Sequence, residues 1–251
     1  PAVTAEAKYK ERRTGFSNLD EVHGSLYSGL YVLGATSSLG KTTMMLQLCD
    51  QLAAAGEYCI YFTLEQSRLE LVTKSISRFT ARDNEERGIS ARSIKNGYMN
   101  NTIQQALQDY QQIADHITVI DGAFNITIDV IRDTVKQAIA DFGRKPVVFV
   151  DYLQIIQPTA AARLTGRDKI DDVTRELKRL QAQEGLLMFV VSSFNRANYM
   201  TPVDFESYKE SGGIEYTADV LWGLQLQAIH DPVFDKDKDI KAKREAKRQA
   251  R

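Results

Sequence analysis

Residues 35–43 have the types and spacing of a phosphate-binding loop. The run fits the Walker A pattern, with an alanine in the first small-residue position. In such a loop the backbone N–H groups wrap the β- and γ-phosphates, and Gly40 lets the backbone approach closely. Lys41 places a positive charge between those phosphates, and the Thr42 hydroxyl is a magnesium ligand. The pattern predicts a site for ATP and Mg²⁺ made of Ala35, Thr36, Ser37, Ser38, Leu39, Gly40, Lys41, Thr42 and Thr43.

Carboxylates downstream of the loop could complete this chemistry. Asp151 follows the apolar run Val147–Val150, so a buried strand would deliver it to the ligand edge of a sheet, where it can hold magnesium through water. Hydrolysis also needs a group that orients and deprotonates the attacking water. Glu65 lies just past the apolar run Cys59–Thr63, and would stand beside the γ-phosphate if that strand neighbours the strand before the loop. Glu70 is the rival, inside a helix pattern, and the residues alone leave the choice open.

Polar residues also end a third strand pattern. The run Leu186–Val191 is followed by Ser193, Asn195 and Arg196. Residues at such a position can sense the γ-phosphate and pass the signal to the next loop. A simple polar turn is the alternative interpretation.

The elements that must position these side chains alternate along the chain. Short apolar runs, each bounded by turn residues, are separated by amphipathic stretches with helical spacing, such as Thr42–Ala55 and Thr127–Phe142. This alternation predicts an α/β fold, with a mostly parallel twisted sheet and helices on both faces. Ligands of such sheets bind at the carboxyl ends of the strands, where the candidate residues fall.

The composition is that of an ordinary globular domain. Of 251 residues, 43% are hydrophobic and 26% are charged, and the formal net charge of −1 excludes a domain that binds nucleic acid through a global positive field. No apolar run is long enough to cross a membrane, and two cysteines without a disulfide framework favour a cytoplasmic setting. We expect a linker or arm over 1–13, the ATPase domain over 14–230, and a charged tail, exposed helix or disordered, over 231–251. Because the first residue is Pro1, we expect a piece of a longer, or processed, protein.

The sequence resembles the motor domain of DnaB-type replicative DNA helicases, which has a RecA-like fold. The similarity spans nearly the whole chain and rests on motifs in the family's order. These motifs are Thr14–Asp20, Thr36–Thr43, Phe62–Glu65, Asp151–Gln154, Ser192–Arg196, Glu210–Glu215 and Ala218–Asp219. The resemblance implies that Glu65 is the catalytic base, beside Lys41. It also implies that Ser193 and Asn195 act as the sensor.

The resemblance further implies a homohexamer that pulls single-stranded DNA through its centre. Two loops would face the DNA, at about 157–169 and 197–209. The basic residues expected to bind DNA are Arg163, Arg167, Lys169, Arg196 and Lys209. Local basic loops of this kind agree with a near-neutral domain.

Two departures from the family's pattern set further expectations. The family usually carries glutamine where Ser193 stands, so the coupling of the γ-phosphate to the DNA loop is expected to differ. The family's arginine finger follows the region where this sequence ends, although Arg244 and Arg248 are candidates within it. We therefore expect this chain alone to bind nucleotide tightly, to turn it over slowly and to be mostly monomeric at low concentration, whereas the homohexamer is expected of the full-length protein. Two alternatives remain open: a RecA-related recombination or regulatory switch, and an assembly module with poor turnover.

Overall fold

The computed structural model describes residues 9–122, 126–158, 166–195, 202–208 and 213–226. The strands are β1 (Gly29–Ala35), β2 (Cys59–Thr63), β3 (Ile117–Asp121), β4 (Val147–Asp151), β5 (Leu187–Ser193) and β6 (Val220–Leu224). The α-helices of these residues are α1 (Ser17–His23), α2 (Lys41–Ala54), α3 (Arg68–Ala81), α4 (Ala91–Lys95), α5 (Asn101–Ala114), α6 (Ile128–Phe142), α7 (Gly166–Glu184) and α8 (Ile214–Thr217). Short 3₁₀ turns span Glu85–Arg87, Leu153–Ile155 and Phe205–Tyr208.

The six described strands form one sheet in the order β3-β2-β4-β5-β1-β6. Every strand pair in it is parallel. The registers bring the carboxyl ends to one edge, since Thr63 lies opposite Asp151 and Ala35 lies opposite Ser193. The predicted α/β fold is confirmed, and the sheet is fully parallel over the described strands.

Alternating strand residues bury two separate cores. In β1, Leu30 and Val32 face one core, whereas Tyr31 and Leu33 face the other. Helices α6 and α7 cover the first core, and α2 covers the second. The apolar stripe of α7 is buried, with Val173, Leu177 and Leu180 each 1% exposed. Both faces of the sheet therefore carry helices, which is why the strands are apolar on both sides.

Local signals begin and end the helices beside the site. Ser67 and Glu70 form a reciprocal capping box at the start of α3. Thr127 accepts a hydrogen bond from the N–H of Val130 and starts α6. Glycines with positive φ follow the last turns of several helices, including Gly143 at +65° and Gly185 at +60°. These residues fix where each helix begins and ends.

The segment before β1 is tied to the domain. Asp20 accepts the backbone and hydroxyl hydrogen bonds of Thr14, both at 2.7 Å, and the N–H of Gly15 at 3.0 Å. Burial alone would raise the pKa of Asp20, but these hydrogen bonds and Arg13 lower it overall. Gln51 of α2 donates to the Gly15 carbonyl at 3.3 Å. The motif Thr14–Asp20 is thus a clamp that joins the chain's entry to the helix of the phosphate loop.

The last residues of the expected arm also contact the domain. The guanidinium of Arg12 pairs with Glu57 at 2.6 Å and lies 3.7 Å from the centre of the Tyr9 ring. The expected tail over 231–251 lies outside the described residues. Among the described helices, none is both long and apolar enough to span a bilayer.

Candidate active site

The phosphate loop connects β1 to α2 through two residues with positive φ. Ser38 has φ +61° and Gly40 has φ +99°. A Cβ on Gly40 would meet no atom within 4 Å, so the backbone conformation, and not crowding, favours glycine there. Helix α2 begins at the next residue, Lys41. Its amino end, with the positive end of the helix dipole, therefore faces the loop that precedes it.

Lys41 reaches back across the loop. Its ammonium donates to the carbonyls of Ala35, at 3.2 Å, and Thr36, at 3.0 Å. These carbonyls hold the ammonium within the loop. A bound phosphate would compete with them for the same three donors.

Asp151 ends β4 as a buried carboxylate beside the loop. It is 6% exposed and accepts a hydrogen bond from the Tyr61 hydroxyl at 3.0 Å. Burial raises the pKa of Asp151, and hydrogen bonds from Thr42 and Tyr61 oppose that rise. Burial beside Asp151 also raises the pKa of Tyr61. The Thr42 hydroxyl and the Asp151 carboxylate thus lie together beside the phosphate loop.

These donors fit magnesium better than a protein-only metal site. Within the described residues, no group of three or more His, Cys, Asp or Glu side chains could hold an ion. Magnesium in nucleotide sites takes one or two protein oxygens and completes its shell with phosphates and water. One hydroxyl and one carboxylate match that requirement.

Glu65 and Glu70 occupy different environments. Glu65 is exposed and lines the same cavity as Lys41 and Asp151. Glu70 does not line it, because its carboxylate caps α3 and pairs with Lys95 at 2.7 Å. The structure therefore brings Glu65, and not Glu70, to the phosphate loop.

Glu65 reaches the loop although its strand does not neighbour β1. From the sequence, Glu65 is expected beside the γ-phosphate on the condition that β2 neighbours β1. That condition is wrong, because β4 and β5 lie between these two strands. Glu65 follows Leu64, whose N–H donates to the Asp151 carbonyl at 2.9 Å. The turn after β2 thus bends over the end of β4, and the Thr63 hydroxyl holds it by donating to the Gln66 carbonyl at 2.6 Å.

A cavity of about 400 Å³ collects the site residues at the carboxyl edge of the sheet. Of the residues proposed from sequence, nine line it: Ser37, Ser38, Gly40, Lys41, Thr42, Thr43, Glu65, Asp151 and Ser193. Ala35 and Thr36 contribute carbonyls to Lys41. Leu39 packs against the core. Asn195 is not among the lining residues, and its N–H donates to the Ser207 carbonyl at 3.1 Å.

Sequence reasoning missed three lining residues, Gln66, Lys74 and Tyr152. The ammonium of Lys74 donates to the Gln66 side chain at 2.7 Å, which adds a second cation to the cavity. The capping box at Ser67 could have indicated Lys74, because it starts a helix directly after Glu65 and places Lys74 two turns along it. On the sequence alone, Tyr152 is interpreted as a buried strand-end aromatic, with stacking on a base as the alternative. In the structure it is half-buried and borders the cavity.

Of the five basic residues expected to bind DNA, the structure describes the side chain of one, Lys169. Arg163, Arg196 and Lys209, as well as the side chain of Arg167, lie outside the described residues. Lys169 is half-buried in the first turn of α7.

The motifs Glu210–Glu215 and Ala218–Asp219 are described from residue 213 onwards, and two of their residues hold neighbouring elements together. Asp219 accepts from the Leu30 N–H at 2.6 Å and from the Lys178 ammonium, which joins β6 to β1 and α7. The N–H of Gly213 donates to Asp171 of α7 at 2.8 Å. This bond joins Gly213, which follows the second expected DNA loop, to α7, which follows the first expected DNA loop.

A parallel sheet with this loop, buried carboxylate and strand order defines a RecA-like nucleotide-binding domain. The family described as DnaB-like helicase C terminal domain matches residues 12–248. This chain belongs to that family, which confirms the resemblance seen in the motifs.

Individual relatives agree with this assignment. A probable replicative DNA helicase of Trieres chinensis is 23% identical over 252 residues, covering 95% of this chain and 54% of that protein. The replicative DNA helicase DnaB of Helicobacter pylori (strain ATCC 700392 / 26695) is 24% identical over 244 residues, covering 93% of this chain and 47% of that protein. This chain therefore spans about half of each. The solved ATPase domain of the protein G40P has the same fold, with a TM-score of 0.77 at 19% identity, over 94% of this chain and 84% of that one.

Proposed function

We propose that this chain is the ATP-hydrolysing motor of a replicative DNA helicase and moves along single-stranded DNA. The observation that carries the proposal is the cavity in which Lys41, Thr42, Asp151 and Glu65 meet at the carboxyl edge of the sheet. Membership of the DnaB-like family, whose relatives are named replicative DNA helicases, supports the same activity.

Each residue has a role that follows from its environment. The N–H groups of the phosphate loop and the dipole of α2 receive the phosphates. Lys41 leaves the carbonyls of Ala35 and Thr36 to neutralise charge on the transferred phosphoryl group. Exposed Glu65 orients and deprotonates the attacking water. Ser193, at the end of β5, lies where it can contact the γ-phosphate and pass its presence to the following loop.

Thr42 and Asp151 would hold Mg²⁺, directly or through water. When bound, the ion would supply positive charge that stabilises the negative charge developing on the phosphates. Burial of Asp151 suits this role, because a carboxylate kept from water is stabilised most by a nearby cation.

Single-stranded DNA and a homohexameric assembly complete the proposal. The expected DNA-binding residues follow β4 and β5 in the chain, and both strands end at the same edge of the sheet as the cavity. Of these residues, Lys169 belongs to the first turn of α7 and not to the loop. A conformational change at the ATP site can therefore be transmitted to the DNA-binding loops at the same edge of the sheet. We infer a cytoplasmic location from the DNA substrate.

Turnover measured with and without single-stranded DNA tests this function. We expect single-stranded DNA to stimulate ATP hydrolysis, and we expect the full chain to displace a paired strand. Lys41→Ala should abolish turnover, because it removes the charge that neutralises the phosphoryl group.

Three outcomes would count against the proposal. Near-normal turnover in folded Lys41→Ala protein would refute the site. Hydrolysis without strand displacement would favour a recombination or regulatory switch. Nucleotide binding without DNA-dependent turnover would favour an assembly module.

A further inference from the structure

Residues 202–208 form a strap across the carboxyl ends of β1 and β6, and the strap is buried at its last two residues. Within this strap Ser207 is 0% exposed and Tyr208 is 4% exposed. The Tyr208 hydroxyl donates to the Trp222 carbonyl of β6 at 2.6 Å, and the Val203 N–H donates to the Gln225 side chain at 3.1 Å. Burial of the Tyr208 ring also raises the pKa of its hydroxyl.

The strap packs against a glycine that directly precedes the phosphate loop. A Cβ built on Gly34 would lie 2.3 Å from Cε1 of Phe194 and 2.4 Å from Cε1 of Tyr208. The two rings meet edge to face, with centroids 5.0 Å apart. They fill the space that a side chain at Gly34 would need, so β1 and the strap cannot shift independently.

A chain of hydrogen bonds continues from these rings to Lys41. The N–H of Phe194 donates to the Ala35 carbonyl at 3.0 Å, and Lys41 donates to the same carbonyl at 3.2 Å. A phosphate that draws the Lys41 ammonium away would therefore remove one of these two hydrogen bonds to the Ala35 carbonyl. The bond that remains is the one that holds Phe194. On the far side, the N–H of Asn195 donates to the Ser207 carbonyl at 3.1 Å. Asn195 directly precedes the second expected DNA loop, and the strap is the described part of that loop.

We propose that Tyr208 is a positioning residue that couples the phosphate loop to the loop expected to bind DNA. Through Phe194 and Gly34 it holds the end of β5, with Ser193, in register with Lys41. Through Trp222 it holds the strap on β6. The inference rests on the proposed function, because its consequence is the coupling of ATP turnover to DNA.

Tyr208→Phe tests the hydroxyl alone, since it keeps the ring and removes the bond to Trp222. We expect the ratio of DNA-stimulated to basal turnover to fall by about fivefold, within the range of coupling energies between sites. Basal kcat and the KM for ATP should be unchanged. Tyr208→Ala, which also removes the ring contact, should lower the ratio further. Tyr98→Phe is the matched control, because Tyr98 is 53% exposed and lies outside the strap.

Gly34→Ala attacks the same contact from the other side. Its methyl group should displace both rings and lower the stimulation ratio although the Tyr208 hydroxyl is intact. An unchanged ratio in Tyr208→Phe and Gly34→Ala would overturn the proposal. A fall in basal kcat that matches the fall in stimulated kcat would also overturn it, since that pattern belongs to a structural role alone.

Limited trypsin digestion tests the coupling without DNA. Trypsin can cut after Arg196 and Lys209, which lie at either end of the segment between Asn195 and Glu210. In the wild-type protein a non-hydrolysable ATP analogue should change the rate of these cuts, and in Tyr208→Phe it should not. A wild-type protein whose turnover ignores DNA would refute the proposed function, whereas cuts insensitive to nucleotide would refute the coupling.

Discussion

The two carboxylates of the site have environments that suit different tasks. Asp151 is 6% exposed and accepts hydrogen bonds from Tyr61 and Thr42, so its position is held. Glu65 is exposed at the rim of the cavity, where an attacking water would enter. A held carboxylate suits a metal ligand, and one in contact with solvent suits a base that must exchange protons. The environments thus support Asp151 as the magnesium ligand and Glu65 as the base.

Glu65→Gln is expected to keep nucleotide binding and lose turnover. The amide keeps the shape of the side chain but cannot accept the proton, so kcat should fall by about 10²–10⁴-fold with little change in affinity. Glu70→Gln is the matched control, because Glu70 contacts Lys95 and does not line the cavity. Steady-state turnover and titration with a fluorescent nucleotide measure both effects. The assignment is wrong if the Glu70 variant loses turnover and the Glu65 variant does not.

At the scale of elements, a buried ion pair joins the helix of the phosphate loop to the helix that follows Glu65. Asp50 of α2 is 1% exposed and accepts from Arg78 of α3 at 2.8 Å. Burial raises the pKa of Asp50, and Arg78 opposes that rise. The pair therefore sets the spacing of α2 and α3, which carry Lys41 and Lys74 to the cavity.

Removing one partner of this pair should cost more than removing both. Arg78→Met leaves a buried carboxylate without its counter-ion, which we expect to lower the free energy of unfolding by about 3 kcal/mol at neutral pH. Asp50→Leu combined with Arg78→Met should recover most of that loss. Denaturant unfolding of the single and double variants measures the difference. A double variant as unstable as Arg78→Met would show that the pair does not act through charge.

The pH dependence of Arg78→Met checks the same mechanism. Without Arg78, the pKa of Asp50 in the folded protein should rise further above its unfolded value. A group whose folded pKa is raised stabilises the fold below its unfolded pKa, and loses this contribution as the pH rises through the folded pKa. The deficit of the variant relative to the wild-type protein should therefore shrink as the pH falls towards that of carboxyl titration.

For the whole molecule, the charge distribution decides how DNA can be bound. With a formal net charge of −1, the chain has no global field for nucleic acid, so phosphate contacts must come from local basic loops. Replacing Arg163 and Arg167 by alanine should weaken binding of single-stranded DNA. It should also reduce the slope of log affinity against log salt by roughly 0.7 for each DNA phosphate that the variant no longer neutralises.

A control variant separates the effect of the loop from that of net charge. Arg87→Ala with Arg92→Ala removes the same charge from exposed positions near α3 and α4. This variant should bind DNA with the wild-type salt slope, as measured by fluorescence anisotropy at several salt concentrations. Equal slopes in all three proteins would mean that Arg163 and Arg167 do not contact DNA.

The phosphate loop, the order of the elements and the candidates for the chemistry could all be predicted from the sequence. The sequence was sufficient to predict Lys41, Thr42 and Asp151, because their roles depend on local spacing and on position at the end of an apolar strand. The strands followed from short continuous apolar runs, as expected for a sheet covered on both faces, and the helices followed from a hydrophobic period of 3.6.

The meeting of distant segments depends on tertiary packing. Strand order is a matter of long-range pairing, so no local pattern indicated that β4 and β5 separate β1 from β2. The choice between Glu65 and Glu70 depended on Lys95, and the presence of Lys74 in the cavity depended on how α3 docks. The packing of Phe194 and Tyr208 on Gly34 joins three segments far apart in sequence. Such contacts arise from the shapes of surfaces brought together by folding, and spacing along the chain does not encode them.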